Sequence, residues 1–353
     1  MPSTFLIAAG GTAGHVVPAL AVADALRADG GRVVFVGGER AERELVPAAG
    51  YELRRLDVAG LDRRNPLKAA RAVWKAALAL RAAGRILDDV RPAAVLGGGG
   101  YVAGPVGLAA VRRGIPLVLT EADSHLGLAN RLLAGRARRV CLAFPIAGRD
   151  GERYLVTGRP IAAPSADREA SRARFGMSPT DTVLLIFGGS LGARSINEAA
   201  VGAFGAADPG FKVLHAAGER DLPALRDRAL GAHYDLRGYV DRFGDALAAA
   251  DLVIARAGGS IFEIAAAGLP AILVPFPHAA GDHQAENARW MERAGAALVL
   301  RDAELSAELL GAEARALLGD PARLRAMAEA ARRIARPDAA RRVAGELRLA
   351  AGR

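Results

Sequence analysis

Short, uninterrupted apolar runs punctuate the chain. They fall at Phe5–Ala9, Val33–Val36, Ala94–Leu96, Leu117–Thr120 and Val140–Ala143 in the first half, and at Val183–Phe187, Val213–Ala216, Leu252–Ile254 and Ala271–Val274 in the second. A strand that reads as continuous apolar sequence is buried on both faces, as in a parallel sheet covered by helices. Helical stretches separate the runs, among them Pro18–Ala28, with proline at its start, and Pro105–Arg112. The alternation stops near Thr157-Gly158-Arg159-Pro160, and Ile161–Ser171, rich in Ala, Pro and charge, reads as a linker. The pattern then starts afresh and ends in an Arg-rich helical tail, Pro321 to Ala351, interrupted at Pro337. It predicts an α/β protein with two similar parallel-sheet domains, residues 1–160 and 161–335, and a terminal helix at 336–353.

The length, 353 residues, suffices for two such cores. Three glycine-rich segments fall where a strand hands over to a helix: Gly10-Gly11-Thr12-Ala13-Gly14-His15, Gly97 to Pro105, and Gly188-Gly189-Ser190-Leu191-Gly192-Ala193-Arg194. Glycine lets backbone approach a ligand closely, and the helix N-terminus that follows offers unpaired N–H groups and partial positive charge. A tight-turn role would explain one such loop, but buried sheets turn without glycine clusters. Three of them in two halves predict two nucleotide-type folds facing across a cleft. Glu39 follows the second strand as in a dinucleotide-binding unit, which keeps an NAD-binding two-domain oxidoreductase as an alternative. The first loop lacks the G-x-G-x-x-G spacing of that fingerprint, and no P-loop motif is present.

A net charge of +9 favours an anionic partner: nucleic acid, a nucleotide-sugar or anionic lipid. Aromatic residues make up only 5%, and no zinc-finger or RNP-type motif occurs, so nucleic acid is disfavoured. The lone Cys141 cannot form an internal disulfide and reads as a core-strand residue of a protein from a reducing compartment. The stretch Phe5–Ala9 reads as a first strand rather than part of a signal peptide. Pro92 to Val111 is uncharged and long enough to span a bilayer, yet its glycines and two prolines predict a loop and a buried helix.

Several polar groups stand out. Ser260 and Glu263 open a helix with capping-box spacing. Equally, a carboxylate beside Gly258-Gly259 suits the two hydroxyls of a ribose. The cluster Asp282-His283-Gln284-Ala285-Glu286-Asn287 follows a buried strand, where open α/β sheets bind ligands. His278, Asp282 and His283 lack the spacing of a metal site, which favours sugar-hydroxyl binding. The segment Arg63–Arg81 places Leu67, Trp74 and Leu78 among Lys68, Arg71, Lys75 and Arg81. Two readings stay open for it: a basic amphipathic membrane-surface element, or an ordinary surface helix with Trp74 turned inward.

Taken together, Gly10–His15, Gly98–Pro105, Gly188–Arg194, Arg256–Pro270 and Asp282–Asn287 resemble, in order and over essentially the whole chain, the motifs of the MurG glycosyltransferase family. The resemblance implies a GT-B fold of two Rossmann-like domains, with the final helices returning to the first domain. It implies inverting transfer of N-acetylglucosamine from UDP-GlcNAc to the C4 hydroxyl of the muramyl sugar of undecaprenyl-linked lipid I. The product is lipid II for peptidoglycan, made at the cytoplasmic face of the bacterial membrane by a peripheral enzyme. A related GT-B enzyme with another acceptor is the alternative.

Carried over by residue, the donor would meet Glu263 at the ribose, Gly189 and Ser190 at the diphosphate, backbone of Val240 at the uracil, and His283 and Gln284 at the sugar. Thr12, Gly14, Asp123 and Arg159 would also face the donor. Gly11, His15, Gly99, Gly100 and Tyr101 would face the acceptor, and Leu67, Lys68, Arg71, Trp74, Lys75 and Leu78 the anionic membrane surface. His15 is the first candidate for general base and Asp123 the second. No Asp-x-Asp motif is present, so no protein-bound metal is expected, which leaves only Mg2+ carried by the diphosphate. The chain departs from the family pattern at Ala13, at Asp123 and Arg159 (each where the family has Asn), at Ala162 in place of an arginine, and at Arg242 in place of an acidic residue.

Overall fold

The computed structural model describes residues 3–56, 66–189, 192–228, 230–279 and 282–352, with backbone alone for 66–76. It divides into two compact units: Met1–Ala162 with Arg336–Arg353, and Ala163–Ala335.

The first unit is built on strands β1 (Thr4–Ala8), β2 (Arg32–Gly37), β3 (Glu52–Arg55), β4 (Ala94–Gly97), β5 (Leu117–Glu121), β6 (Arg139–Leu142) and β7 (Tyr154–Val156). They form one parallel sheet in the order β3-β2-β1-β4-β5-β6-β7. Phe5 and Ile7 of β1 point into one core and Leu6 and Ala8 into the other, the alternation of a strand buried on both faces. The first core is covered by the helices Ala13–Ala28 and Ala339–Ala350, the latter contributing fully buried Val343, Ala344 and Leu347. The second is covered by the helices Pro66–Val90 and Ala103–Arg112. Cys141 lies buried in β6, and burial pushes its thiol up to about 12.

The second unit repeats the plan with β8 (Val183–Phe187), β9 (Lys212–Ala216), β10 (Tyr234–Arg237), β11 (Leu252–Ala255), β12 (Ala271–Leu273) and β13 (Ala297–Val299), parallel in the order β10-β9-β8-β11-β12-β13. Leu184 and Ile186 pack with Ile196, Ala200 and Phe204 of the helix Arg194–Phe204 and with Leu310, Ala314 and Leu317 of the helix Ala307–Leu318.

The central strands lie where the apolar runs predict them. The four strands absent from that reading, β3, β7, β10 and β13, are the sheet edges. An edge strand is left unpaired along one side and is often charged there, and Glu-Leu-Arg-Arg and Tyr-Asp-Leu-Arg, both only partly buried, carry too little apolar sequence to register. The first helix begins at Ala13, not Pro18, which lies inside it. Proline has no N–H to donate to the carbonyl four residues back. That carbonyl belongs to Gly14, and Arg159 Nη2 donates to it instead, at 2.6 Å. The stretch Ile161–Ser171 read as a linker does contain the division between the units, after Ala162, but its end is helical: a helix occupies Arg168–Arg174, with Asp167 accepting the Ala170 N–H at 2.9 Å as its cap. Between Pro92 and Val111 stand β4, a glycine turn and a buried helix, and no helix among the described residues is long and apolar enough to cross a membrane.

One ion cluster ties the start of the second unit together. Asp251 accepts from Arg172 Nη2 (2.8 Å), from Arg168 Nη2 (2.5 Å) and from the Val183 N–H (2.8 Å). The Arg172 side chain is buried and also donates to the carbonyl of Ala249. Removing one partner of a buried pair strands the other charge. Asp251→Ala is therefore expected to destabilise this unit by about 3 kcal/mol, the low end for such a loss because Asp251 keeps some solvent. Urea unfolding measures it, and a midpoint equal to the parent's refutes the assignment.

Candidate functional site

In the first unit, the carboxyl ends of β1, β2 and β4 each run into glycine. Thr12 is extended (φ −116°, ψ 159°) just before the helix Ala13–Ala28, but its hydroxyl does not cap that helix. It lies 3.3 Å from His15 Nδ1. Gly99 has φ +100°, and a Cβ there would sit 2.6 Å from His15 Cδ2. Gly100 has φ +77°, and a Cβ there would run into the Gly10 carbonyl. The first and second glycine loops thus interlock, and only glycine satisfies both the dihedrals and the contact.

His15 is half-buried. Burial, then the Arg159 charge, lowers its pKa below the usual imidazole value, outweighing Asp123 and Glu42, whose charges raise it. The ring is therefore neutral at pH 7 and able to accept a proton. Asp123 sits on a loop wound about Glu121. This nearly buried carboxylate accepts from the N–H of Asp123 (3.2 Å), the N–H of Gly127 (2.7 Å) and Asn130 Nδ2 (2.9 Å). Thr12, Gly14, His15, Gly99 and Arg159 come together here, within reach of the Asp123 charge.

Gly11 and Tyr101 meet on the other side of the loops, the tyrosine ring resting against Gly11. The Tyr101 hydroxyl donates to Glu42 Oε1 at 2.7 Å, and its pKa is pushed up to about 12 by burial and by that carboxylate. Glu42 carries no role in the sequence reading. In Ala41-Glu42-Arg43-Glu44 it looks like one more charge at a helix start, the place where acidic residues are ordinarily found.

In the second unit, Gly189 (φ +90°) and Gly192 (φ +74°) shape the turn after β8, and a side chain at Gly192 would strike the Ala217 carbonyl. Ser190 lies outside the described residues. Behind the turn runs a buried relay. Asn197 Nδ2 donates to Asp221 (3.0 Å) and to the Ala217 carbonyl (2.9 Å), so its Oδ1 accepts a hydrogen bond from His215 Nε2–H (3.0 Å). Tyr234 then donates to His215 Nδ1 at 2.8 Å. Burial lowers His215 to about 4, so the imidazole is neutral, as this pattern requires.

Glu263 stands half-buried in the helix Ile261–Ala266, just beyond Gly258 and Gly259. The Ser260 side chain makes no capping hydrogen bond to this helix. The entry to the helix is held from below: Arg256 donates to Asp302 Oδ1 (2.6 Å), Ser195 Oγ (2.8 Å) and the Val274 carbonyl (3.1 Å), and Asn287 donates to the Ala257 carbonyl (2.9 Å). Gln284 accepts the Phe276 N–H at 3.0 Å. His283 opens the helix His283–Arg293 beside it, and Val240 is buried after β10. Arg242 adopts a left-handed conformation (φ 55°). Among the described residues no group of three His, Cys, Asp or Glu side chains could hold a metal. Glu39, the residue that suggested a dinucleotide, is paired with Arg43 and Arg55. The side chains of Leu67, Lys68, Arg71, Trp74 and Lys75 lie outside the description, whereas Leu78 is exposed on the helix Pro66–Val90.

Comparison with known proteins agrees with this layout. Residues 5–142 match the glycosyltransferase family 28 N-terminal domain, and residues 183–343 its C-terminal domain. The chain is 44% identical over 339 residues to the UDP-N-acetylglucosamine–N-acetylmuramyl-(pentapeptide) pyrophosphoryl-undecaprenol N-acetylglucosamine transferase of Acidithiobacillus ferrooxidans, covering 94% of each. It is 42% identical over 358 residues to the protein of that name from Aeromonas hydrophila, covering 100% of this chain and 99% of the other. Among solved structures it is similar to Acinetobacter baumannii MurG, with 30% identity, a TM-score of 0.78 and coverage of 99% and 100%. A calicheamicin glycosyltransferase at 22% identity shares the GT-B fold with a TM-score of 0.72, covering 100% of this chain and 99% of that one. By domains, full-length identity and fold, this chain belongs to the MurG family of N-acetylglucosaminyltransferases within glycosyltransferase family 28.

Proposed function

We propose that the protein transfers N-acetylglucosamine from UDP-GlcNAc, with inversion, to the C4 hydroxyl of the muramyl sugar of lipid I, forming lipid II. The observation that carries this reading is the identity of 42–44% with transferases of that name across nearly the whole chain. Turns at the carboxyl ends of both parallel sheets support it, since ligands of such sheets bind there.

The donor binds the second unit. Glu263 takes the ribose hydroxyls, the Val240 backbone the uracil, His283 and Gln284 the sugar. The Gly189–Ser190 turn and the helix after it stabilise charge on the departing UDP, most strongly in the transition state. A diphosphate leaves without a general acid, and no protein-held metal is needed; Mg2+ on the diphosphate is compatible. The acceptor binds the first unit at Gly11, Gly99, Gly100 and Tyr101. There neutral His15 removes the proton from the attacking hydroxyl, with Asp123 beside it. The helix Pro66–Val90 rests on the cytoplasmic face of the membrane, a placement supported by its basic, Trp-bearing sequence and by exposed Leu78.

UDP release is expected only when UDP-GlcNAc and a lipid I analogue are both present. Stabilisation by NAD but not UDP in a thermal-shift screen, with no UDP release, would overturn the reading.

His15→Ala is expected to lower kcat by about 10²–10⁴-fold while leaving the KM for UDP-GlcNAc near the parent's. The kcat/KM profile carries a second sign. Because burial and Arg159 favour the neutral ring, the acidic limb should lie below pH 6.5. Removing a neighbouring cation raises an imidazole pKa, so Arg159→Gln should move the limb upward. A limb that stays put in both variants assigns the base elsewhere.

For the membrane contact, co-sedimentation with anionic vesicles is the measure. Each basic residue at such a surface contributes about 1 kcal/mol. The Trp74→Ser, Lys75→Glu double variant should therefore pellet markedly less than the parent, and equal pelleting makes this helix ordinary surface.

A further inference from the structure

The first unit holds a buried carboxylate that the reaction as proposed does not use. Glu42 is fully buried. Its Oε2 accepts the Gly11 N–H at 2.8 Å, and its Oε1 accepts both the Gly38 N–H at 2.8 Å and the Tyr101 hydroxyl at 2.7 Å. The glycines around it are glycines because of it. A Cβ on Gly10 would sit 2.8 Å from Glu42 Oε1, and one on Gly37 would sit 2.6 Å from Glu42 Cγ. A Cβ on Gly38 would run into the Tyr101 hydroxyl. The turns after the neighbouring strands β2, β1 and β4 thus converge on one side chain.

We propose that Glu42 is a positioning residue for the acceptor: its buried carboxylate clamps Gly11 and Tyr101, the groups read above as acceptor contacts, and through the interlocked glycine loops holds His15 in place. This inference rests on the acceptor reading of the first unit.

The chemistry demands a carboxylate. Its partners are two backbone donors, one on each oxygen, and a hydroxyl that donates to the second. Glutamine in either orientation turns an NH2 group towards a backbone N–H, leaving a buried donor facing a donor. Aspartate is one methylene too short to reach. Burial alone would raise the carboxyl, but hydrogen bonds from the backbone of Gly11 and of Glu42 itself, from Tyr101 and from the Gly38 N–H outweigh it and keep it below its ordinary range, so Glu42 is ionised at neutral pH. The Tyr101 oxygen gives its proton to Glu42 and accepts from the Glu39 backbone, so the ring that rests against Gly11 is pinned to the turn after β2.

The test compares Glu42→Gln with the parent in steady-state kinetics and in amide hydrogen exchange. Exchange at Gly11 and Gly38 should accelerate while β1 and β2 amides keep parental protection, which shows an intact sheet. The acceptor KM should rise and kcat fall by at least about tenfold, the scale expected when reacting groups are misplaced by a fraction of an ångström. The KM for UDP-GlcNAc should stay parental. Tyr101→Phe should cost less in the Glu42→Gln background than in the parent, because the hydroxyl has already lost its anchor. Should Glu42→Gln not fold, Gly38→Ala takes its place: it leaves the carboxylate but displaces the Tyr101 hydroxyl, and the same rise in acceptor KM is expected. Parental acceptor kinetics in a folded variant refute the proposal alone. Absence of lipid I-dependent UDP release in the parent refutes instead the functional reading beneath it.

Discussion

A buried backbone N–H must be paired, and a backbone that faces a ligand cannot pair with its own chain. Both units are organised around that conflict. The turns at the ends of the parallel strands are kept open by glycine, and glycine loses more conformational freedom on folding than any other residue. Polar side chains beneath them supply the missing order. Glu42 and Glu121 each gather several donors in the first unit, and Arg256 and Asn287 hold carbonyls on either side of the second unit's helix entry. Such networks rigidify when every member is satisfied.

How far this was legible in the sequence depended on what each residue has to do. Central strands show as bare apolar runs because both faces are covered, so β1, β4, β8 and β11 could be placed nearly to the residue. Edge strands answer to water on one side and carried no comparable signal. Pro18 misled by one rule and was explained by another: proline does favour helix starts. Here the helix had already begun, and the Gly14 carbonyl that proline leaves free is taken by Arg159, 145 residues further along the chain.

The candidate site was readable through its glycines and through family likeness, and His15, Tyr101 and Glu263 stand beside the turns that announced them. The residues beneath were not readable. Glu42 and Arg256 act by touching segments distant in sequence, and no local spacing encodes that. Arg159 shows the same limit from the other side. The resemblance put it beside the donor, and nothing in the sequence hinted that one of its nitrogens serves the Gly14 carbonyl or that its charge acts on His15.

The chain path imposes an order on biosynthesis. The helix Ala339–Ala350 belongs to the first unit, where Gly158, with φ +83°, packs against Arg336 as the chain re-enters. Val343, Ala344 and Leu347 complete a core otherwise made by residues synthesised far earlier. Until they leave the ribosome, the helix Ala13–Ala28 packs against the sheet but lacks the cover that the helix Ala339–Ala350 gives it. Residues 163–335 meanwhile possess every strand of their own sheet. The half that emerges first is therefore the half finished last, and its closure waits on a loop as long as an entire domain.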